Sequence, residues 1–161
     1  MSAALSLIEY SDDLAFEFKR INAEWIDAMF VMEPTDRDVL DNPRARIVDT
    51  GGAILFVALQ GVGIVGTCAL KKTGAHGFEL TKMGVTDVAR GRKAGEFLLA
   101  HVIDRAKAMD ARELYLLTNR KCAAAIYLYE KLGFVHDPGV MARYGATYQR
   151  CDVAMGYPLT G

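Results

Sequence analysis

The residues best suited to chemistry lie in one short stretch. Arg90-Gly91-Arg92-Lys93-Ala94-Gly95 carries three cations and two glycines, with no carboxylate between Asp87 and Glu96. It stands between a strand pattern ending near Val85 and a long helical pattern. Unpaired N–H groups at a helix start, the favourable end of the helix dipole and basic side chains together favour a di- or polyphosphate. Basic junctions of this kind are also an ordinary solvated surface, and the segment alone leaves both readings open. Spacing excludes two nucleotide motifs. A GxxxxGK[ST] loop fails because Gly91 is followed by Gly95 and Glu96, and no GxGxxG follows an early strand in a repeated βαβ array.

Other reactive side chains are scattered. His76, His101 and His136 have no Ser, Cys or carboxylate partner at a recognisable spacing and read as structural. The cysteines, Cys68, Cys122 and Cys151, are odd in number and lack CxxC or Cys/His ligand spacing. Neither a disulfide framework nor a metal site is expected, and buried thiols are the ordinary outcome.

The elements that must position the basic segment follow from composition and periodicity. A chain of 161 residues with 52% hydrophobic and 24% charged side chains is sized for a single domain, 1–161, around one core. A net charge of −1 argues against a general nucleic-acid binder. Residues 1–50 hold 11 acidic and 5 basic side chains and the remainder 9 and 14, a division that suits a front attracting cations and a back attracting anions. The first residues show no basic leader ahead of a long apolar run, and no apolar stretch approaches the length of a membrane span. A cytoplasmic protein without a membrane partner is the expectation.

Leu5 to Tyr10 reads as a strand running into a helix whose apolar stripe is Leu14, Phe18, Ile21, Trp25 and Met29. A second, irregular helix follows Pro34, with Thr35 as its expected cap. Segments 53–60, 64–72 and 78–85 read as consecutive strands, the last with Phe78, Leu80 and Lys82 on one face, Glu79, Thr81 and Met83 on the other, and a bulge at Gly84. A long helix after Gly95, a strand at 113–119, a helix at 122–132 closed by Gly133, and strands starting at Phe134 and spanning 151–157 complete the order, with Asp137-Pro138-Gly139 as a turn. This is neither pure βα alternation nor all-β. It fits an α/β (mixed α+β) chain whose sheet is flanked by helices.

With these elements in place, VTDVARGRKAGEFLL, ELYLLTN and AIYLYEKLGF resemble the acyl-CoA-binding core of the GNAT superfamily of N-acetyltransferases. The superfamily's [Q/R]-x-x-G-x-[G/A] signature aligns with Arg90 to Gly95, and the match covers roughly residues 50 to 160. EP-x-D at 33–36, EL-x-KM at 79–83, TN at 118–119 and Tyr-x-Arg at 148–150 are similar to a bacterial subgroup of small, single-domain members with mostly unassigned acceptors. There are two departures. Lys93 stands at the first signature glycine, and Cys122 occupies a position where many members carry asparagine, so that Asn119 is the substitute contact.

The resemblance implies a mixed, largely antiparallel sheet of about seven strands flanked by about four helices. It implies acetyl-CoA as co-substrate, with no metal, in a cleft where strands 78–85 and 113–119 splay. Arg90, Gly91, Arg92, Lys93, Ala94 and Gly95 would hold the pyrophosphate, backbone at Met83, Gly84 and Val85 the pantetheine, and Asn119 would assist. Glu79, eleven residues before Arg90, resembles the general base of members that use one, and substrate orientation is the alternative role. Tyr129 matches the tyrosine that protonates or hydrogen-bonds the leaving sulfur. Trp25, Phe30, Glu33, Asp36, Tyr148 and Arg150 are candidates around a small-molecule amine acceptor, with Arg150 able to grip an acceptor carboxylate. An acyl-CoA-binding sensor and a protein lysine or N-terminal acetyltransferase are the alternatives, and a homodimer is common among similar proteins.

Overall fold

The structure is a computed structural model that describes residues 4–159. Strand β1 (Leu5–Glu9) leads into α1 (Ala15–Met29) and α2 (Pro34–Asp41), after which β2 (Ala53–Leu59), β3 (Gly63–Lys72) and β4 (Gly77–Val85) form a meander. Then come α3 (Ala94–Ala108), β5 (Glu113–Thr118), α4 (Ala123–Lys131), β6 (Val135–His136), α5 (Pro138–Tyr144) and β7 (Val153–Gly156). The seven strands make one sheet in the order β1-β2-β3-β4-β5-β7-β6, antiparallel except for the β4–β5 pair. The expected mixed, largely antiparallel architecture is therefore what forms.

Alternation along the strands divides the interior into two layers. Leu55 and Val57 point to the side where Leu98, Val102 and Ile103 of α3 and Tyr129 of α4 pack. Ile54 and Phe56 point the other way, against Phe18 and Ile26 of α1 and Leu40 at the end of α2. Sheet faces and helix stripes are thus matched by their own periods, 2 and 3.6. The stripe of α1 is not all core: Trp25, at the edge of the packed layer, and Met29 line a cleft.

Four expectations are corrected. A fifth helix, α5, forms where a turn was expected, because the Asp137 carboxylate accepts from Gly139 N and Val140 N and Pro138 sits at its first position. Glu33, not Thr35, stands at the cap of α2, since Pro34 fixes the first helical residue and Asp36 Oδ2 accepts from Glu33 N at 3.0 Å.

The other two corrections concern β4. Its bulge lies at Lys82-Met83 and not at Gly84: Ala69 pairs with Thr81 and Thr67 with Gly84, which leaves Lys82 and Met83 opposite Cys68. Lys82 takes φ 55° there. The face assignment shifts with it, so Met83 packs toward the α3 side while Lys82 joins Glu79 and Thr81 on the α1 side. Gly84 is glycine for closeness, since a Cβ there would stand 2.7 Å from Trp25 Cδ1 and 3.0 Å from Ile21 Cγ2.

Candidate active site

The parallel β4–β5 pairing covers only Gly77 to Leu80 against Glu113 to Leu116. Beyond Leu80 the strands separate, and a cleft of about 590 Å³ opens between them, lined by the end of β4, the start of α3, the end of β5, α4 and the C-terminal part of α1. The divergence leaves the backbone of β4 from Thr81 onward without a partner on that side. An extended ligand chain can pair there as an added strand does.

One end of the cleft is made of backbone. Gly91 has φ 77° and Lys93 φ 61°, so two left-handed residues bring the chain round into α3, where the first N–H groups have no helical acceptor. Lys93 explains the signature glycine it replaces: the position requires a conformation that glycine adopts freely and lysine adopts at a cost. A Cβ at Gly91 meets nothing within 4 Å, so the loop is open to a ligand. Arg90, Gly91, Lys93, Ala94 and Gly95 line the cleft, as do Met83, Gly84 and Val85. Arg92 does not. Its N–H bonds to Ala89 O and its side chain is exposed outside the lining.

Asn119 lines the cleft, but its amide holds the protein together. Nδ2 donates to Arg150 O at 2.7 Å, and Oδ1 accepts from Lys121 N at 2.9 Å. This side chain ties the end of β5 to the segment before β7 while still lining the cleft.

Tyr129 projects from α4 into the cleft lining, with its ring against Phe134 at 5.8 Å. No hydrogen bond to its hydroxyl is found among the described residues. Burial, with the neighbouring Cys68 and Cys122, pushes its phenol well above the usual range, so it keeps its proton.

The other end is built from side chains of four distant segments. Asp36 is fully buried, and its carboxylate takes Arg150 in a fork, Nη1 to Oδ2 at 2.6 Å and Nη2 to Oδ1 at 2.7 Å. Lys82 Nζ reaches the same carboxylate at 2.9 Å. Burial alone would raise the Asp36 carboxyl, but the two cations outweigh it and hold it at about 2. Glu33 accepts from Gln149 N at 2.8 Å and from Arg150 N at 3.3 Å, clamping this segment onto the start of α2.

Glu79 is 3% exposed and does not reach the cleft. Tyr148 stands in front of it, lining the cleft and donating its hydroxyl to Glu79 Oε2 at 3.0 Å, with Thr81 Oγ1 3.3 Å from the same hydroxyl. Burial raises the Glu79 carboxyl, and Lys82 and Tyr148 pull it only partly back. Burial and the Glu79 charge raise the Tyr148 phenol.

Among the sequence candidates, the structure brings Trp25, Tyr129, Tyr148 and Arg150 to the cleft and places Glu33, Asp36 and Glu79 behind its wall. The Nη1–Nη2 end of Arg150, expected to grip an acceptor carboxylate, holds Asp36 instead. Lys82 and Thr81 were missed as site residues. The signal for them was present, since the runs at 33–36, 79–83, 118–119 and 148–150 meet at this one place.

The family model for the acetyltransferase (GNAT) domain matches residues 51–136, just over half of the chain. The chain belongs to the GNAT acetyltransferase family. This GNAT chain is 38% identical over 95 residues to an IAA acetyltransferase from Azospirillum brasilense, an alignment covering 57% of it and 61% of that relative, so it spans less than two thirds of the relative's length. Among solved structures, a GNAT acetyltransferase from Staphylococcus aureus Mu50 superposes with a TM-score of 0.86 at 24% identity, over 98% of this chain and 100% of that one. The structure of yncA from Salmonella typhimurium with its cofactor acetyl-CoA gives 0.73 at 19% identity, over 98% and 95% of the two chains. N-acetylglutamate synthase from Neisseria gonorrhoeae, complexed with coenzyme A and N-acetyl-glutamate, gives 0.71 at 18%, over all of this chain and 36% of that one. Among the described residues no helix is long and apolar enough to cross a membrane, and no group of three or more His, Cys, Asp or Glu is arranged to hold a metal ion.

Proposed function

We propose that this GNAT protein transfers acetyl from acetyl-CoA to a primary amine of a small molecule by direct attack in a ternary complex. The observation that carries the reading is the β4–β5 divergence beside the left-handed turn into α3, which places an unpaired strand edge and a row of free N–H groups along one cleft. Gly91, Lys93, Ala94 and Gly95 would hold the pyrophosphate, with Arg90 adding charge at the rim. Met83, Gly84 and Val85 would hold the pantetheine. Acetyl-CoA supplies the thioester carbonyl that the amine attacks.

Two tyrosines then manage protons. Tyr129, in the cleft lining, keeps its own until it gives it to the departing thiolate. On the acceptor side Glu79 does not meet the amine. The Tyr148 hydroxyl accepts the amine proton while passing its own to Glu79 Oε2, so the carboxylate acts through the phenol. General base assistance of this kind contributes about 10²- to 10⁴-fold. The Lys82–Asp36–Arg150 group braces Tyr148, with Lys82 Nζ 4.7 Å from its ring centroid and the Arg150 guanidinium at 5.1 Å.

Calorimetry with acetyl-CoA on wild type and Gly91→Glu, with thiol release followed over an amine panel, tests the reading. Wild-type binding weakened at least about tenfold in the variant (roughly 1.4 kcal/mol) is the expected result. Binding with no thiol release from any amine would favour a CoA-responsive sensor, and no binding would remove the reading altogether.

A further inference from the structure

We infer that the acceptor is an aromatic monoamine, and that amines carrying several positive charges are excluded; this rests on the acetyl-transfer reading above. The acceptor end has an aromatic and apolar wall: Trp25 and Phe30 meet edge to face at 6.3 Å, and Met29 and Tyr148 complete it. Trp25 lies directly on Gly84, so this wall adjoins the point where β4 and β5 part.

Such a group of rings is ordinarily a seat for an ammonium group. Here the seat is already taken by the protein's own cations. The Arg150 guanidinium lies 5.8, 5.6 and 5.1 Å from the Trp25, Phe30 and Tyr148 centroids, and Lys121 Nζ is 5.6 Å from Phe30. The carboxylates that balance the buried pair, Asp36, Glu33 and Glu79, lie behind the wall and do not line the cleft. The carboxylate that does line it, Glu96, belongs to the opposite end and is held by Lys131 at 2.6 Å.

An incoming amine therefore meets ring edges and cations that are already paired, and no free carboxylate. A polyamine's further charges find there neither an unpaired carboxylate nor a free ring face, and would lose water without a partner. The carboxylates that residues 1–50 bring to this end, Glu33 and Asp36, are already paired with Arg150 and Lys82. What the wall offers is apolar area and ring edges, which an aromatic body fills.

The chain holds a single tryptophan, Trp25, in this wall, so its emission reports occupancy without turnover. Protein loaded with CoA is titrated with 2-phenylethylamine and with spermidine, and thiol release from acetyl-CoA is followed with both. Phenylethylamine is expected to shift Trp25 emission saturably and at least about tenfold more tightly than spermidine. Phe30→Ala is expected to weaken phenylethylamine by a similar factor with acetyl-CoA affinity unchanged. Equal or tighter spermidine binding, or no saturable response to phenylethylamine, overturns the inference. A saturable response without thiol release keeps the acceptor class and overturns the transfer reading instead.

Discussion

The two ends of the cleft are built in opposite ways. The α3 end comes from one contiguous stretch, is largely exposed and works through backbone, with two left-handed residues aligning N–H groups. The end proposed for the acceptor draws on four stretches more than a hundred residues apart at the extremes, is buried, and is built from side chains whose charges answer one another. A backbone site tolerates exchange of its side chains so long as the turn survives. A network of buried charges does not, because each member's partner would be left unpaired in a poorly solvating interior.

That contrast is most directly broken at Asp36. Asp36→Asn leaves Arg150 and Lys82 without their shared carboxylate and is expected to destabilise the fold by about 3–5 kcal/mol, read by urea denaturation. A loss near zero would mean the group is not a structural unit. The wild type should also show the network in acid. A carboxyl held at about 2 when folded, against an ordinary value of 3.8, contributes stability above the unfolded value that disappears as pH falls through the folded one. The contribution is on the order of 2 kcal/mol. It should fade between about pH 4 and pH 2 in wild type and be missing from the acid limb of Asp36→Asn.

Next in size is the relay. Glu79→Gln and Tyr148→Phe are each expected to lower kcat by about 10²-fold or more, with acetyl-CoA affinity retained. The two should not add, since they interrupt one path. Burial sets Glu79 above the ordinary carboxyl value of 4.5, so wild-type kcat/KM should fall on an acid limb lying above that value, and both variants should lose the limb. Additive losses, or a Tyr148→Phe protein with wild-type turnover, would return Glu79 to a purely structural place behind the wall. Tyr129→Phe should be milder, about tenfold in kcat with no change in the acid limb.

The same contrast explains what the amino-acid sequence discloses. The order of strands and helices is written in local periodicity, and the left-handed turn into α3 in a six-residue run, so both are legible. The bulge at Lys82-Met83 is not, because Gly84 is the residue that local rules single out, whereas the bulge is held by Lys82 reaching Asp36 across 46 positions. Glu79 was legible as a carboxylate on the right strand. That Tyr148 stands between it and the cleft depends on where the segment before β7 returns, and Glu33 and Asn119 fix that return by bonds to Gln149 and Arg150. Arg150 read as a ligand-binding fork for the same reason: its geometry is visible in its type, but its partner is not.

The smallest effect tests the backbone end on its own terms. Lys93→Gly removes a left-handed lysine whose conformation costs about 1 kcal/mol, and adds chain entropy to the unfolded state that offsets much of the gain. Stability should stay within about 1 kcal/mol of wild type. The variant also removes a cation from the helix start. If Lys93 acts chiefly through its backbone, acetyl-CoA affinity measured by calorimetry should change by less than about threefold and keep the wild-type salt dependence. A larger loss that vanishes at high salt would show that the ammonium itself faces phosphate. The α3 end would then share the side-chain logic of the acceptor end, and the division between them would be one of burial alone.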